Sequence, residues 1–201
     1  QVANGVVDAF VHTVEQYLTY PVSAFVQDGF AETLLRTLIE FGPKALETPD
    51  DYDTRANLMW TATMALNGLI GAGVPQDWAT HMIGHEITAL NDTDHARTLA
   101  IVLPSLLNDQ RVPKREKLLQ YARNVWGIVD GGEEDRIDAA IEATREFFQR
   151  MGIKTQLRDY GIAEPEIDQI VTGLQEHGMT ALGEYGVIAP EDARRILEAA
   201  L

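Results

Sequence analysis

The residues of this chain best suited to chemistry are its histidines, and they are unevenly distributed. There are five, and His81, His85 and His95 fall within one stretch, "HMIGHEITALNDTDH". A fourth, His12, stands four residues after Asp8 in "DAFVH". On a helix that spacing puts two side chains on one face. Asp8 and His12 therefore project together from a face that Val7, Val11 and Val14 make apolar. A carboxylate on such a face needs a positive partner. The first twenty residues contain neither Lys nor Arg. A divalent cation answers the need directly; a core histidine bonded to its neighbouring aspartate, or a pair of rim residues, is the plainer explanation.

His81 and His85 repeat the spacing of four. They do not form the zincin pattern, because Ala89 stands where its second histidine would be, nor the inverted one, because Gly84 stands where that motif has Glu. No His-Asp dipeptide occurs, which argues against helical phosphohydrolases of that type. On one straight helix His81 and His95 would lie about 21 Å apart, too far to share an ion. A helix that ends near Ala89 changes the distance. It rises about 12 Å from His81, and residues 90–94, extended, can span about 17 Å back. The two imidazoles can thus meet only if the chain reverses at Asn91-Asp92-Thr93-Asp94. Asp8, His12, His81 and His95 would then offer one carboxylate and three imidazoles, a set that suits Fe(II) or Zn(II) better than Mg or Ca.

The elements that must position these groups read as helices almost throughout. Apolar residues recur at three and four from Val6 to Leu18, where Pro21 stops the run, and again from Val22 to Ile39, where Gly42-Pro43 is expected to break it. A third helix is expected from Tyr52 or Asp53 to Ile70; almost free of charge after Arg55, it should be buried on most sides. Gly71 to Pro75 is a turn. Gln76 to about Ala89 is a fourth helix, and His95 to Leu107 a fifth, kinked or ended by Pro104. Further helices are expected over Lys114–Ile128 and Ile137–Met151, with an acidic linker at 131–135 between them. Two more, near Pro165–His177 and Pro190–Leu201, carry Pro and acids at their starts. No strand series or internal repeat appears. The expectation is an all-α, bundle-like domain of about nine helices.

Bulk properties narrow the class. Hydrophobic residues make up 45% of 201, enough for a well-filled core. No apolar run of about 18 residues exists to span a membrane, and no secretory signal is seen. Cysteine is absent, so disulfides, thiolate ligands and thiol nucleophiles are excluded, consistent with a cytoplasmic protein. The net charge of −15 repels phosphate backbones and speaks against nucleic acid as a partner. The chain opens without Met and inside a helical pattern, as an excised piece of something longer would.

Asp-x3-His, about seventy residues, His-x3-His, nine residues and His is an order that resembles the metal signature of the iron-containing (group III) alcohol dehydrogenases. "NGVVDAFVHTVEQY" looks like the family's first metal helix. "GVPQDWATHMIGHEITALNDTDHARTLAIVLP" looks like its second signature. The likeness covers essentially the whole chain, as the helical C-terminal half of a dehydroquinate-synthase-like two-domain enzyme. The branch it most resembles is the NADPH-dependent aldehyde reductases and butanol dehydrogenases, in which Ala, as at Ala96, follows the last metal histidine.

The resemblance implies that Asp8, His12, His81 and His95 bind a catalytic Fe2+ or Zn2+. It implies that His85 is not a ligand but lines the site beside the nicotinamide and the substrate and helps relay a proton. It implies an aldehyde or alcohol substrate, hydride transfer with NADPH or NADH, and relatives that pair as homodimers through the nucleotide-binding half. That N-terminal dinucleotide-binding domain is expected to be absent from this chain, residues 1–201 being the metal-binding half. The one glycine cluster, Gly68 to Gly73, is in the wrong order for a dinucleotide fingerprint and follows a helix. His177, before Gly178 at a helix end, is assigned no role. A non-redox relative of dehydroquinate synthase fits less well, because it carries Glu at the first ligand position. A helical interaction domain whose His and Asp residues are only satisfied core polars is the non-catalytic alternative.

Overall fold

The computed structural model describes residues 1–201 as an all-α structure. Its helices are α1 (Val2–Tyr17), α2 (Phe25–Glu47), α3 (Tyr52–Ala65), α4 (Ala79–Asn91), α5 (His95–Asp109), α6 (Arg115–Asn124), α7 (Glu133–Arg150), α8 (Glu164–Glu176) and α9 (Pro190–Glu198). A short 3-10 turn at Leu157–Tyr160 precedes α8 and was not expected. No helix is long and apolar enough to cross a membrane.

Two apolar cores share α5. The larger gathers α1, α2, α6 and α7 around Phe10, whose ring lies 5.1 Å from Phe147 and 5.6 Å from Phe148. The smaller gathers α4, α8 and α9. Leu99, Ala100, Leu103 and Leu107 of α5 face the first core; Ile101, Val102 and Leu106 face the second. A helix apolar all round is one buried on all sides, and "LAIVLPSLL" is that sequence. Pro104 lies inside α5 without ending it. Contacts with α1, α4, α7 and α9 hold the helix on both sides of the proline.

Several boundaries differ from the sequence expectation, each for a physical reason. Gly42-Pro43 does not break α2. Pro43 leaves the carbonyl of Ile39 without its helical donor, and Arg150 Nη2 donates to that oxygen at 3.2 Å. Gly42 is there for space: a Cβ would lie 2.8 Å from Val6 Cγ1 and 3.2 Å from Met151 Sδ. α3 ends at Ala65 instead of Ile70, where Gly68 turns to φ +88°. It is also not buried on most sides. Thr54, Leu58, Thr61 and Ala65 pack inward, while Met59 and Trp60 stay exposed; a lack of charge did not imply burial. α4 starts at Ala79 and not Gln76. The acids of the expected linker, Glu133 to Asp135, form the first turn of α7, where they suit the helix dipole.

The reversal required between His81 and His95 is present. Asp92 closes α4 in a left-handed conformation (φ 59°), and α5 runs back along it from His95. Close contact of the two helices depends on Gly84. A Cβ there would lie 2.8 Å from Thr98 Oγ1 and 3.3 Å from Leu99 Cδ2. Gly84→Ala should therefore lower stability by about 1–3 kcal/mol, as overpacking does. In denaturant titrations a double-mutant cycle with Thr98→Ala should recover part of that loss; strict additivity would refute the contact.

Candidate metal centre

α1 carries Asp8 and His12 outward from the large core, while Val7, Phe10, Val11 and Val14 on the same helix are fully buried. α4 carries His81 and His85, and the first residue of α5 is His95. These three helices bring one oxygen of Asp8, one nitrogen of His81 and one nitrogen of His95 within 4.8 Å of one another. His95 Nε2 is 3.4 Å from Asp8 Oδ1.

His12 joins the same cluster by a different contact. Its ring centroid lies 4.2 Å from that of His81. Its Nδ1 is 2.8 Å from the carbonyl of Asp8 and 3.3 Å from Asp8 Oδ2. A carbonyl only accepts, so Nδ1 carries the proton and Nε2 keeps its lone pair. His85 is more exposed and lies outside the close group. Its ring stacks on His95 at 5.2 Å and is 6.2 Å from His81.

One partner went unnoticed in the sequence. Glu15, seven residues and two turns after Asp8 on the same side of α1, is 2% exposed. Its Oε1 accepts the backbone N–H of Thr80 at 2.6 Å, and its Oε2 holds His81 Nδ1. The other nitrogen of this buried imidazole, Nε2, has no hydrogen-bond partner. A buried polar atom without a partner is uncommon. The signal that could have revealed Glu15 was a second carboxylate seven residues after Asp8, on a helix without Lys or Arg.

The electrostatics follow from this crowding. For Asp8 burial favours the acid, but the hydrogen bond and charge of His12 outweigh it, and the carboxyl titrates below its ordinary value. For His12 burial opposes the charged form, yet the bonds and charge of Asp8 raise it above the ordinary imidazole. His81 is pushed down to about 4 by burial and then by the neighbouring His12. Burial, with His81 next, also lowers His85 and His95. Glu15 is driven up to about 8 by burial and by Asp77, against the donors at Thr80 and His81. Burial thus opposes charge on both members of the Glu15–His81 pair.

His177 is not merely a solvated helix end. Its Nδ1 is 2.7 Å from Oε1 of the buried Glu86, which ties α8 to α4. It takes no part in the imidazole cluster.

Residues 2–201 match the family model described as Fe-containing alcohol dehydrogenase family, C-terminal. The chain belongs to that family. It is 64% identical, over its whole length, to the NADPH-dependent aldehyde reductase YqhD of Escherichia coli (strain K12), of which it covers 52%. It is 37% identical to NADH-dependent butanol dehydrogenase A of Clostridium acetobutylicum, with 98% of this chain and 51% of that one covered. Among solved structures of the family, the substrate- and cofactor-free form of E. coli YqhD superposes with a TM-score of 0.99 at 63% identity, over 100% of this chain and 53% of that one. A butanol dehydrogenase A from Thermotoga maritima superposes with a TM-score of 0.91 at 33% identity, over 98% and 51%. The chain spans about half the length of the curated relatives it matches.

Because Glu15 is the hydrogen-bond partner of both the Thr80 N–H and His81 Nδ1, Glu15→Ala leaves both without a partner. The metal-free protein should lose about 2 kcal/mol or more in denaturant unfolding. Glu15→Gln, which keeps one acceptor, should recover part of it. A loss in Glu15→Ala no larger than that of an ordinary surface change, about 0.5 kcal/mol, would contradict the geometry.

Proposed function

We propose that this chain is the metal-binding half of an NAD(P)H-dependent aldehyde reductase or alcohol dehydrogenase. In this reading Asp8, His12, His81 and His95 hold one Fe2+ or Zn2+. The observation that carries it is the buried His81, whose Nε2 is unpaired and of which one ring nitrogen lies with donor atoms of Asp8 and His95 within 4.8 Å. One carboxylate and neutral imidazoles suit a borderline divalent ion, and no Lys or Arg forms an ion pair with Asp8. The dinucleotide-binding domain belongs to the half of the relatives' length that this chain does not span.

When bound, the ion supplies Lewis acidity toward the oxygen of an aldehyde or alcohol, and the nicotinamide supplies or accepts the hydride. The chain's own residues do the rest. Glu15 receives the Nδ1–H of His81, and the Asp8 carbonyl receives that of His12. Each ring is thereby held in the tautomer that aims Nε2 at the centre. His85 stands one helical turn beyond His81, beside His95 and open to solvent. A ring nitrogen of His85 passes a proton between the substrate oxygen and water. Burial and the neighbouring His81 keep that imidazole predominantly uncharged at neutral pH.

Metal analysis of untagged protein tests the centre. Near-stoichiometric Fe or Zn is expected, lost in both His81→Ala and His12→Ala; a wild-type protein that takes up neither metal would sink the proposal. In the full-length enzyme His85→Ala should retain its metal while kcat falls by about a hundredfold. The 201-residue chain alone should bind metal without oxidising NADPH. Substantial aldehyde-dependent oxidation by this half would overturn the assignment of the nicotinamide site to the other.

A further inference from the structure

Beneath the turn that leads into α4 sits a buried cation that the chemistry above does not use. Lys114, at the start of α6, is 2% exposed. Its Nζ donates to the carbonyl of Leu18 at 2.7 Å and to both carboxylate oxygens of Glu184 at 2.7 Å, and lies 2.8 Å from Asp77 Oδ2. Each partner comes from a different part of the fold. Leu18 closes α1, Asp77 precedes α4, and Glu184 is carried by the tight loop in which Leu182 and Ile188 exchange backbone hydrogen bonds.

Asp77 transmits this anchor to the imidazole cluster. Its N–H donates to the Glu15 carbonyl at 2.9 Å, and its Oδ1 accepts the N–H of Ala79 at 2.9 Å, capping α4. Between them Trp78 is held at φ 64°, a left-handed conformation that a bulky residue keeps only where its surroundings enforce it. Thr80 and His81 then reach Glu15. The direction of His81 Nε2 therefore depends on a turn that is held by Lys114 from below.

We propose that Lys114 is a positioning residue of the metal centre, fixing the 76–79 turn through Asp77 and so aiming His81 at Asp8 and His95. This rests on the metal-binding reading given above. Asp77 and Glu184 are both buried carboxylates, and Lys114 is the cation they share. Without it they repel one another and draw water inward. The strained turn gives way more readily than the packed helices, and ligand distances tolerate only about 0.2 Å.

Lys117 supplies the control. It is also a buried lysine of α6, paired with Asp28 at 2.6 Å and lying over the Tyr17 ring, with no contact to the 76–79 turn. The experiment titrates apo full chain with Co2+, followed by its visible d–d bands, under conditions where each variant is folded by circular dichroism. Lys114→Met should bind Co2+ about tenfold or more weakly, in the range that loss of a ligand's supporting partner produces, and show altered bands. Lys117→Met should lose thermal stability yet keep the wild-type bands and affinity. If Lys114→Met does not fold, Glu184→Gln serves, with altered bands and a several-fold loss expected. Wild-type bands and affinity in the variant measured, or equal weakening in Lys117→Met, would overturn the inference and leave the metal reading standing. Failure of the wild-type chain to bind Co2+ would overturn both.

Discussion

The structure turns on the docking of the start of α4 against α1 through the buried carboxylate of Glu15. That one side chain accepts the Thr80 N–H and engages His81 Nδ1. It joins two amphipathic helices, and the ring it grips is the one that brings a nitrogen into the group with Asp8 and His95. Burying a carboxylate is costly in itself. The surrounding donors make it tolerable, and the charge of Asp77 nearby is balanced by Lys114. The polar groups beneath the cluster are thus connected, running from Lys114 through Asp77 and Glu15 to His81.

The apolar framework has the complementary task of preventing relative motion. α5 belongs to both cores, so the helix that begins at His95 is held by packing on two sides from Leu99 onward. Gly84 lets α4 approach α5 closely enough for His81 and His95 to lie with ring centroids 5.1 Å apart. The aromatic cluster of Phe10, Phe147 and Phe148 holds α1 on its inward side. Rigid helices on packed cores are the elements on which ligand geometry can be kept to a few tenths of an ångström.

Much of this was legible in the residues. Asp8 with His12, and His81 with His85, share helix faces because a spacing of four allows nothing else. The reversal at 91–94 followed from a distance: no straight helix could unite His81 with His95. The all-α class and most helix positions followed from apolar periodicity. The misjudged places were those where one residue met a partner far along the chain. Pro43 reads as a break until Arg150 is seen to satisfy the Ile39 carbonyl. The charge-poor α3 reads as buried, yet only one of its faces has neighbours. His177, assigned no role and indeed exposed, still meets the distant Glu86.

By itself, then, the sequence determined which groups share a face, which cations and thiols are absent, and where the chain must turn. These are local properties, set by helix geometry and by composition. Only the tertiary structure decided that Glu15 would be the partner of His81, and that Lys114 would be the cation under the turn before α4. Those contacts join residues 66 and 37 positions apart in the chain, and no periodicity encodes them. They arise because burial leaves each polar group to find its partner among whatever the packed helices bring near.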